Sequence, residues 1–294
     1  MSFYEFLTGI GKERLAGLIR EHDLSRPLPD TAHEQIWELW KRYLVVGGLP
    51  EVVNRYRERQ ENLYEAVQIV RKTQRDLIDA YVADIAKHSG KANALHIERL
   101  WRNIPEQLAR AGSGSSAKFK LRNAVPGIRG YERLSSPLDW LEGADLIIRI
   151  PIVDTAGIPL SSVGKENRFK LYFFDVGLLG AISGVPPSVF LDYGFGSYQG
   201  YIAENFVAQE LRANDSSPLY CWQGRTAEVE FLLEKEGEII PVEVKSGRVT
   251  QSKSLNVYAD RYHPKLAFVL SANNIARRNI RHYLPLYIAG RLAA

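Results

Sequence analysis

The 294-residue chain is 45% hydrophobic and 24% charged, which excludes an intrinsically disordered polypeptide and leaves room for two or three cores. No apolar run approaches the roughly 20 residues of a membrane span, and the charges within MSFYEFLTGIGKERL do not fit a signal peptide. A single cysteine, Cys221, excludes an internal disulfide or a thiolate cluster, so a cytoplasmic protein is expected.

The elements fall into three regions. Residues 1–65 read as helical: Leu15, Leu18, Ile19 and then Ile36, Leu39, Trp40, Tyr43, Leu44 recur at three-and-four spacing, with Pro27 and Pro29 between them. Gly47-Gly48 is a helix stop, and Pro50 opens a further helix to about Ala86. Residues 66–190 are mixed. An amphipathic helix spans Ala94–Ala111, with Pro105 kinking it or starting a new one, and a Gly/Ser loop covers Gly112–Ser116. Ser135-Ser136-Pro137 predicts an N-cap and a proline first turn, and Leu146–Ile152 and Phe169–Phe174 read as strands. Helices followed by a two-stranded ribbon form the layout of a winged helix. Asp175 is placed to cap the turn to Gly177. Residues 195–294 alternate: a helix over Tyr201–Ala213, then strands over Leu219–Trp222, Val229–Leu233, Ile239–Lys245 and Leu266–Leu270. The expected fold class is therefore α/β (α+β overall): a helical start, a winged-helix-like middle and a C-terminal mixed sheet with helices.

Net charge is only +4, but its distribution is uneven. From Lys245 onward nine Lys or Arg face one acid, Asp260, and a second cluster comprises Lys118, Lys120, Arg122, Arg129 and Arg133. Such local excesses suit a phosphate backbone or an acidic partner, and equally suit two solvated faces.

The segment AEVEFLLEKEGEIIPVEVK, residues 227–245, predicts a β-hairpin turning at Glu236-Gly237. Cross-strand partners then sum to 473. Val229–Val244, Phe231–Val242 and Leu233–Ile240 make one apolar face, with Glu228 opposite Lys245 and Glu230 opposite Glu243 on the other. Two opposed glutamates destabilise a hairpin. A divalent cation such as Mg²⁺ reverses that penalty, and Lys245, two residues from Glu243, shares its face. A solvated hairpin face with one Glu–Lys pair fits the same pattern. The histidines show no metal-ligand spacing, and Trp222 reads as core rather than as a base-stacking residue.

Acid, hairpin and Glu-Val-Lys together resemble the PD-(D/E)XK nuclease superfamily, which implies a restriction-endonuclease-like fold for residues 195–294. By that resemblance Glu230 and Glu243 hold Mg²⁺ or Mn²⁺ and Lys245 assists catalysis. Glu204, in Tyr201-Ile-Ala-Glu-Asn-Phe-Val, matches the helical acid that many members add to the metal site. The sequence departs in carrying Glu230 where Asp is usual, and in lacking a clean Gln-x-x-x-Tyr after the lysine. A wider set of stretches spans nearly the whole chain: Ser2-Phe-Tyr-Glu-Phe, Tyr43-Leu-Val-Val-Gly-Gly-Leu-Pro-Glu-Val-Val, Phe169-Lys-Leu-Tyr-Phe-Phe-Asp-Val-Gly-Leu-Leu, Glu204-Asn-Phe-Val, Glu228-Val-Glu-Phe and Glu243-Val-Lys. These resemble the C-terminal part, of unassigned function, of bacterial and archaeal AAA-type ATP-binding proteins. No Gly-x-x-x-x-Gly-Lys-[Ser/Thr] occurs, so ATPase activity is not expected of this chain.

Three functions follow as expectations. One is a metal-dependent nuclease in which Lys118, Arg122, Arg129 and Arg133 hold duplex DNA while Arg248, Lys253, Arg277, Arg278 and Arg281 guide the phosphate chain. The second is a non-catalytic DNA- or protein-binding module that partners an ATPase subunit or a second copy of itself. The third is an interaction protein whose helical N-terminus is the docking face.

Overall fold

A computed structural model of the chain describes residues 1–110, 118–122, 124–128, 130–192, 199–215 and 217–293. Helix α1 (Phe3–Gly9) starts in a capping box: the Ser2 hydroxyl accepts the Glu5 amide, and the Glu5 carboxylate accepts the Ser2 amide at 2.7 Å. Helices α2 (Glu13–Glu21) and α3 (Asp30–Val46) follow, and α3 stops at Gly47 with φ 77°. The single helix expected over 50–86 is two, α4 (Pro50–Arg59) and α5 (Leu63–His88), because Asn62 breaks the run by accepting the Glu65 amide and capping α5. Helix α6 (Lys91–Arg110) runs through Pro105 without a break. The Gly/Ser loop expected at 112–116 lies outside the described residues. In α7 (Ser135–Gly143) the N-cap is Leu134 rather than a serine, since Ser135 turns its hydroxyl to the Glu132 carbonyl.

Strands β1 (Ile147–Val153) and β2 (Gly164–Phe173) precede helices α8 (Val176–Ile182), α9 (Pro187–Asp192) and α10 (Gln199–Asn214). Then come β3 (Tyr220–Gln223), β4 (Glu228–Lys235), β5 (Glu238–Val244), α11 (Lys253–Tyr262), β6 (Ala267–Ser271), β7 (Ala276–Arg278) and β8 (Arg281–Pro285). All eight strands join one mixed sheet in the order β2-β1-β3-β4-β5-β6-β8-β7. The ribbon read as a wing does form, with Ile147 opposite Phe173, but β1 then pairs in parallel with β3. It is thus one flank of the same sheet that carries the hairpin.

Two stretches distant in sequence form one interlock. Gly47 leaves no room for a side chain, because a Cβ there would lie 2.2 Å from an Asp175 carboxylate oxygen. Asp175 accepts the Gly48 amide at 2.6 Å and the Leu178 amide at 2.8 Å, capping α8 as the sequence predicts. Opposite, a Cβ on Gly177 would meet the Gly47 nitrogen and the Val46 carbonyl at 2.6 Å.

Helix α10 lies behind the sheet, and its polar side chains Glu204, Asn205, Gln209 and Glu210 are buried with its apolar ones. Each reaches another segment. Glu204 accepts the Tyr172 hydroxyl at 2.9 Å. The Asn205 amide group pairs with both the N–H and the C=O of Phe173, extending the β2 edge. Gln209 accepts the Val176 amide and donates to the Tyr43 hydroxyl, and Glu210 accepts the Phe3 amide at 2.7 Å.

Gly177→Ala is expected to destabilise the protein by about 2–3 kcal/mol, because backbone rather than a flexible side chain must give way; urea denaturation midpoints measure it. Burial pushes the Glu210 carboxyl from 4.5 up to about 8, with the Phe3 amide holding it lower than burial alone would. The folded state therefore keeps a proton that the unfolded chain has released. This contribution is complete below about pH 4.5 and is lost as the pH rises through 8. Glu210→Gln should flatten that part of a stability-versus-pH curve.

Candidate acidic site where two strands part

The hairpin forms in the predicted register: Phe231 pairs with Val242, Leu233 with Ile240 and Lys235 with Glu238. Its turn places Glu236 at φ 50° and Gly237 at φ 75°, the two left-handed residues of a type I′ turn. The pattern changes past Phe231. A bulge lets Trp222 pair with Val229 but Tyr220 with Leu232. Val229 thereby packs with Trp222, Leu255, Tyr258 and Val269, while Val244 belongs to the main core. The expected Val229–Val244 pair is not made, because the extra residue in β4 turns the strand away from β5. Across the gap the Glu230 carboxylate accepts the Val244 amide at 3.1 Å, taking the place of a ladder bond.

The acidic face is not solvated. Glu230 and Glu243 are 3% and 1% exposed, since β4 and β5 are central strands covered on both faces. Lys245 pairs with Glu243 Oε1 at 2.5 Å rather than with Glu228, and its side chain keeps 29% exposure. Glu243 Oε2 is sealed from solvent and receives no well-formed hydrogen bond. Glu228 is contacted instead by Lys170 of β2, whose ammonium has no solvent exposure and lies 3.8 Å from Glu204. The Lys170 N–H groups are not aligned for a regular hydrogen bond, so the contact is an ion pair. Lys170 is not among the residues expected at the site, although a lone cation inside Phe169-Lys-Leu-Tyr-Phe-Phe signals a buried partner.

Burial raises the Glu230 carboxyl well above its ordinary range, and the charges of Glu243 and Glu204 raise it further against Lys170 and Lys245. Burial also raises Glu243, which Lys245 pulls back down. For Lys245, burial opposes the charge, but Glu243, Glu230 and Glu204 outweigh it and hold the ammonium above its usual value. These carboxylates are hard oxygen donors of the kind Mg²⁺ and Mn²⁺ take, and Mg²⁺ commonly uses one or two of them. The Ser252 hydroxyl also lies against the Glu243 carboxyl and helps Lys245 lower it, but no regular hydrogen bond reaches Oε2, which leaves that oxygen open to such an ion. Glu204, expected as a third ligand, is engaged by Tyr172 and Lys170. Among the described residues no group of three or more His, Cys, Asp or Glu is arranged to hold a metal.

The basic residues divide. Arg248 and Lys253 are exposed beside the loop that follows Lys245, which is anchored by the Ala272 amide on Gly247 O and by Asn273 on Arg248 O at 2.9 Å. The segment leading into α3 abuts this rim, where Asn274 exchanges two hydrogen bonds with the Leu28 backbone. Arg277 and Arg278 lie exposed on edge strand β7. Arg281 pairs with Ala267 at the start of β6, whereas Lys245 meets Leu270 near its end, so these arginines sit at the far end of the strands. Lys118, Arg122 and Arg133 are exposed near the opposite flank, which Phe119 joins through Phe169 O; Arg129 lies outside the described residues. Trp222 is core, 1% exposed. No helix among the described residues is long and apolar enough to cross a membrane.

Fold and site together define a mixed α/β protein with a buried acidic cluster opening at one lysine. The chain belongs to the family of the Domain of unknown function (DUF8612), whose model matches residues 37–189, just over half its length. Residues 199–289 match a second model, Domain of unknown function (DUF4143). Neither the curated proteins nor the solved structures provide a match.

At about pH 4, where Glu230 is protonated in both folded and unfolded states, Glu230→Gln, which mimics that carboxyl and can still accept the Val244 amide, should change stability by less than about 1 kcal/mol. Because the folded carboxyl is raised, wild type should lose stability relative to this variant as the pH climbs above 4.5. Parallel denaturation curves at several pH values test this.

Proposed function

We propose that residues 199–289 form a nuclease-like site in which Glu230 and Glu243 hold Mg²⁺ or Mn²⁺ and Lys245 assists hydrolysis of a DNA phosphodiester. The observation that carries this reading is the meeting of two buried carboxylates where β4 and β5 part, one with an unpartnered oxygen and the other side of it held by a partly exposed lysine. The order α10-β3-β4-β5-α11-β6, with three antiparallel strands and the last parallel to β5, supports a restriction-endonuclease-like core.

The chain's own groups divide the work. Central strands fix both carboxylates, so little reorganisation is needed on binding. Glu243 orients the Lys245 ammonium at the rim, where it can stabilise charge on a phosphate oxygen. Arg248 and Lys253, next to that rim, can take the neighbouring phosphates of the strand. A bound divalent cation would supply neutralisation of phosphate charge and activation of water. The six stretches resembling AAA-type ATP-binding proteins support a place beside an ATPase in the cytoplasm.

A non-catalytic module is the second reading. It is favoured by the two lysines already paired within the cluster and by the absence of a three-ligand group among the described residues. Calorimetric titration of Mn²⁺ into wild type and Glu243→Ala, beside cleavage of plasmid and single-stranded DNA, decides. The nuclease reading expects saturable binding lost in the variant, and cleavage reduced at least a hundredfold by Lys245→Ala with metal binding retained. Folded wild type that binds no Mn²⁺ would leave the module.

A further inference from the structure

We infer that Lys170 is a positioning residue of the acidic site: its fixed charge holds Glu204 and Glu228 off the Glu230–Glu243 pair and thereby sets how many divalent cations the site takes and how tightly. The inference rests on the metal-site reading above and assigns a role to a residue from the other matched region. Lys170 comes from β2, inside residues 37–189, whereas the four glutamates lie within 199–289.

Its ammonium is wholly buried, in contact with Glu228 and 3.8 Å from Glu204. Two residues along the same strand, Tyr172 donates to Glu204 at 2.9 Å, so one stretch of β2 occupies that carboxylate twice. Glu228 is drawn outward as well: Gln223 donates to it at 3.2 Å and in turn accepts Arg168 at 3.0 Å. Lys170 and Lys245 thus stand against Glu204, Glu228, Glu230 and Glu243, and with the Glu230 proton displaced the two carboxylates in excess would match one divalent cation. Burying an ammonium costs several kcal/mol unless its partners compensate. An apolar residue would suit this strand better if its only task were packing.

A merely structural tie between β2 and the hairpin would change stability but not metal stoichiometry. The test is calorimetric titration of the full chain with Mn²⁺ alone, for wild type, Lys170→Met, Glu228→Gln and the double variant. Wild type should take one Mn²⁺. Lys170→Met should bind it at least tenfold tighter or take a second, Glu228→Gln should bind about tenfold more weakly, and the double variant should return to within threefold of wild type. Folded Lys170→Met with wild-type affinity and stoichiometry overturns the inference. If that variant does not fold, the other two decide: wild-type affinity in Glu228→Gln, or no return in the double variant, overturns it. Wild type that binds no Mn²⁺ removes the metal-site reading and this role with it, whereas wild-type binding unmoved by any substitution removes only the role of Lys170.

Discussion

A helix buried on every side must find partners for each polar group it carries, and α10 is such a helix over Tyr201–Leu211. An unmet polar group there costs about 1–3 kcal/mol, and an unmet charge more. Glu204, Asn205, Gln209 and Glu210 are therefore committed to particular atoms of β2, of α8's first residue, of α3 and of the start of α1. These contacts hold the helical region, the β1–β2 flank and the hairpin-bearing sheet in one arrangement. The Gly47–Asp175–Gly177 interlock stands next to them, where Gln209 bonds Val176 and Tyr43.

The acidic cluster depends on the same helix. Glu204 belongs at once to the α10 contacts and to the surroundings of Glu230 and Glu243. Four carboxylates and two ammonium groups share a place with little water, where replacing charge by apolar packing is often neutral or stabilising. Such a cluster is a poor device for stability alone. Lys245 is its most exposed member, while Glu204, Glu230 and Glu243 stay buried.

Much of the hairpin was legible because a period of two leaves only one register in which every apolar residue shares a face. Phe231–Val242 and Leu233–Ile240 are paired as that pattern requires. The helix stop at Gly47 and the Asp175 cap were readable from local chemistry in the same way. The bulge beside Glu230 was not, since it arises from pairing with β3, and it is what separates Val229 from Val244. Nor could alternation show that the charged face is covered, because a buried acidic face and a solvated one are written with the same letters.

The sequence by itself determined the classes of its segments, the hairpin register, the glycine stop and the three residues Glu230, Glu243 and Lys245 as one chemical group. These depend on near neighbours and on spacing, which the chain carries locally. Tertiary structure alone decided that the β1–β2 ribbon flanks the one sheet, that the arginines of β7 and β8 sit at the strand ends away from Lys245, and that Lys170 takes Glu228 while Lys245 takes Glu243. The reason is that a buried charge chooses its partner by what the fold brings within contact, and Lys170 lies 58 residues ahead of Glu228 along the chain.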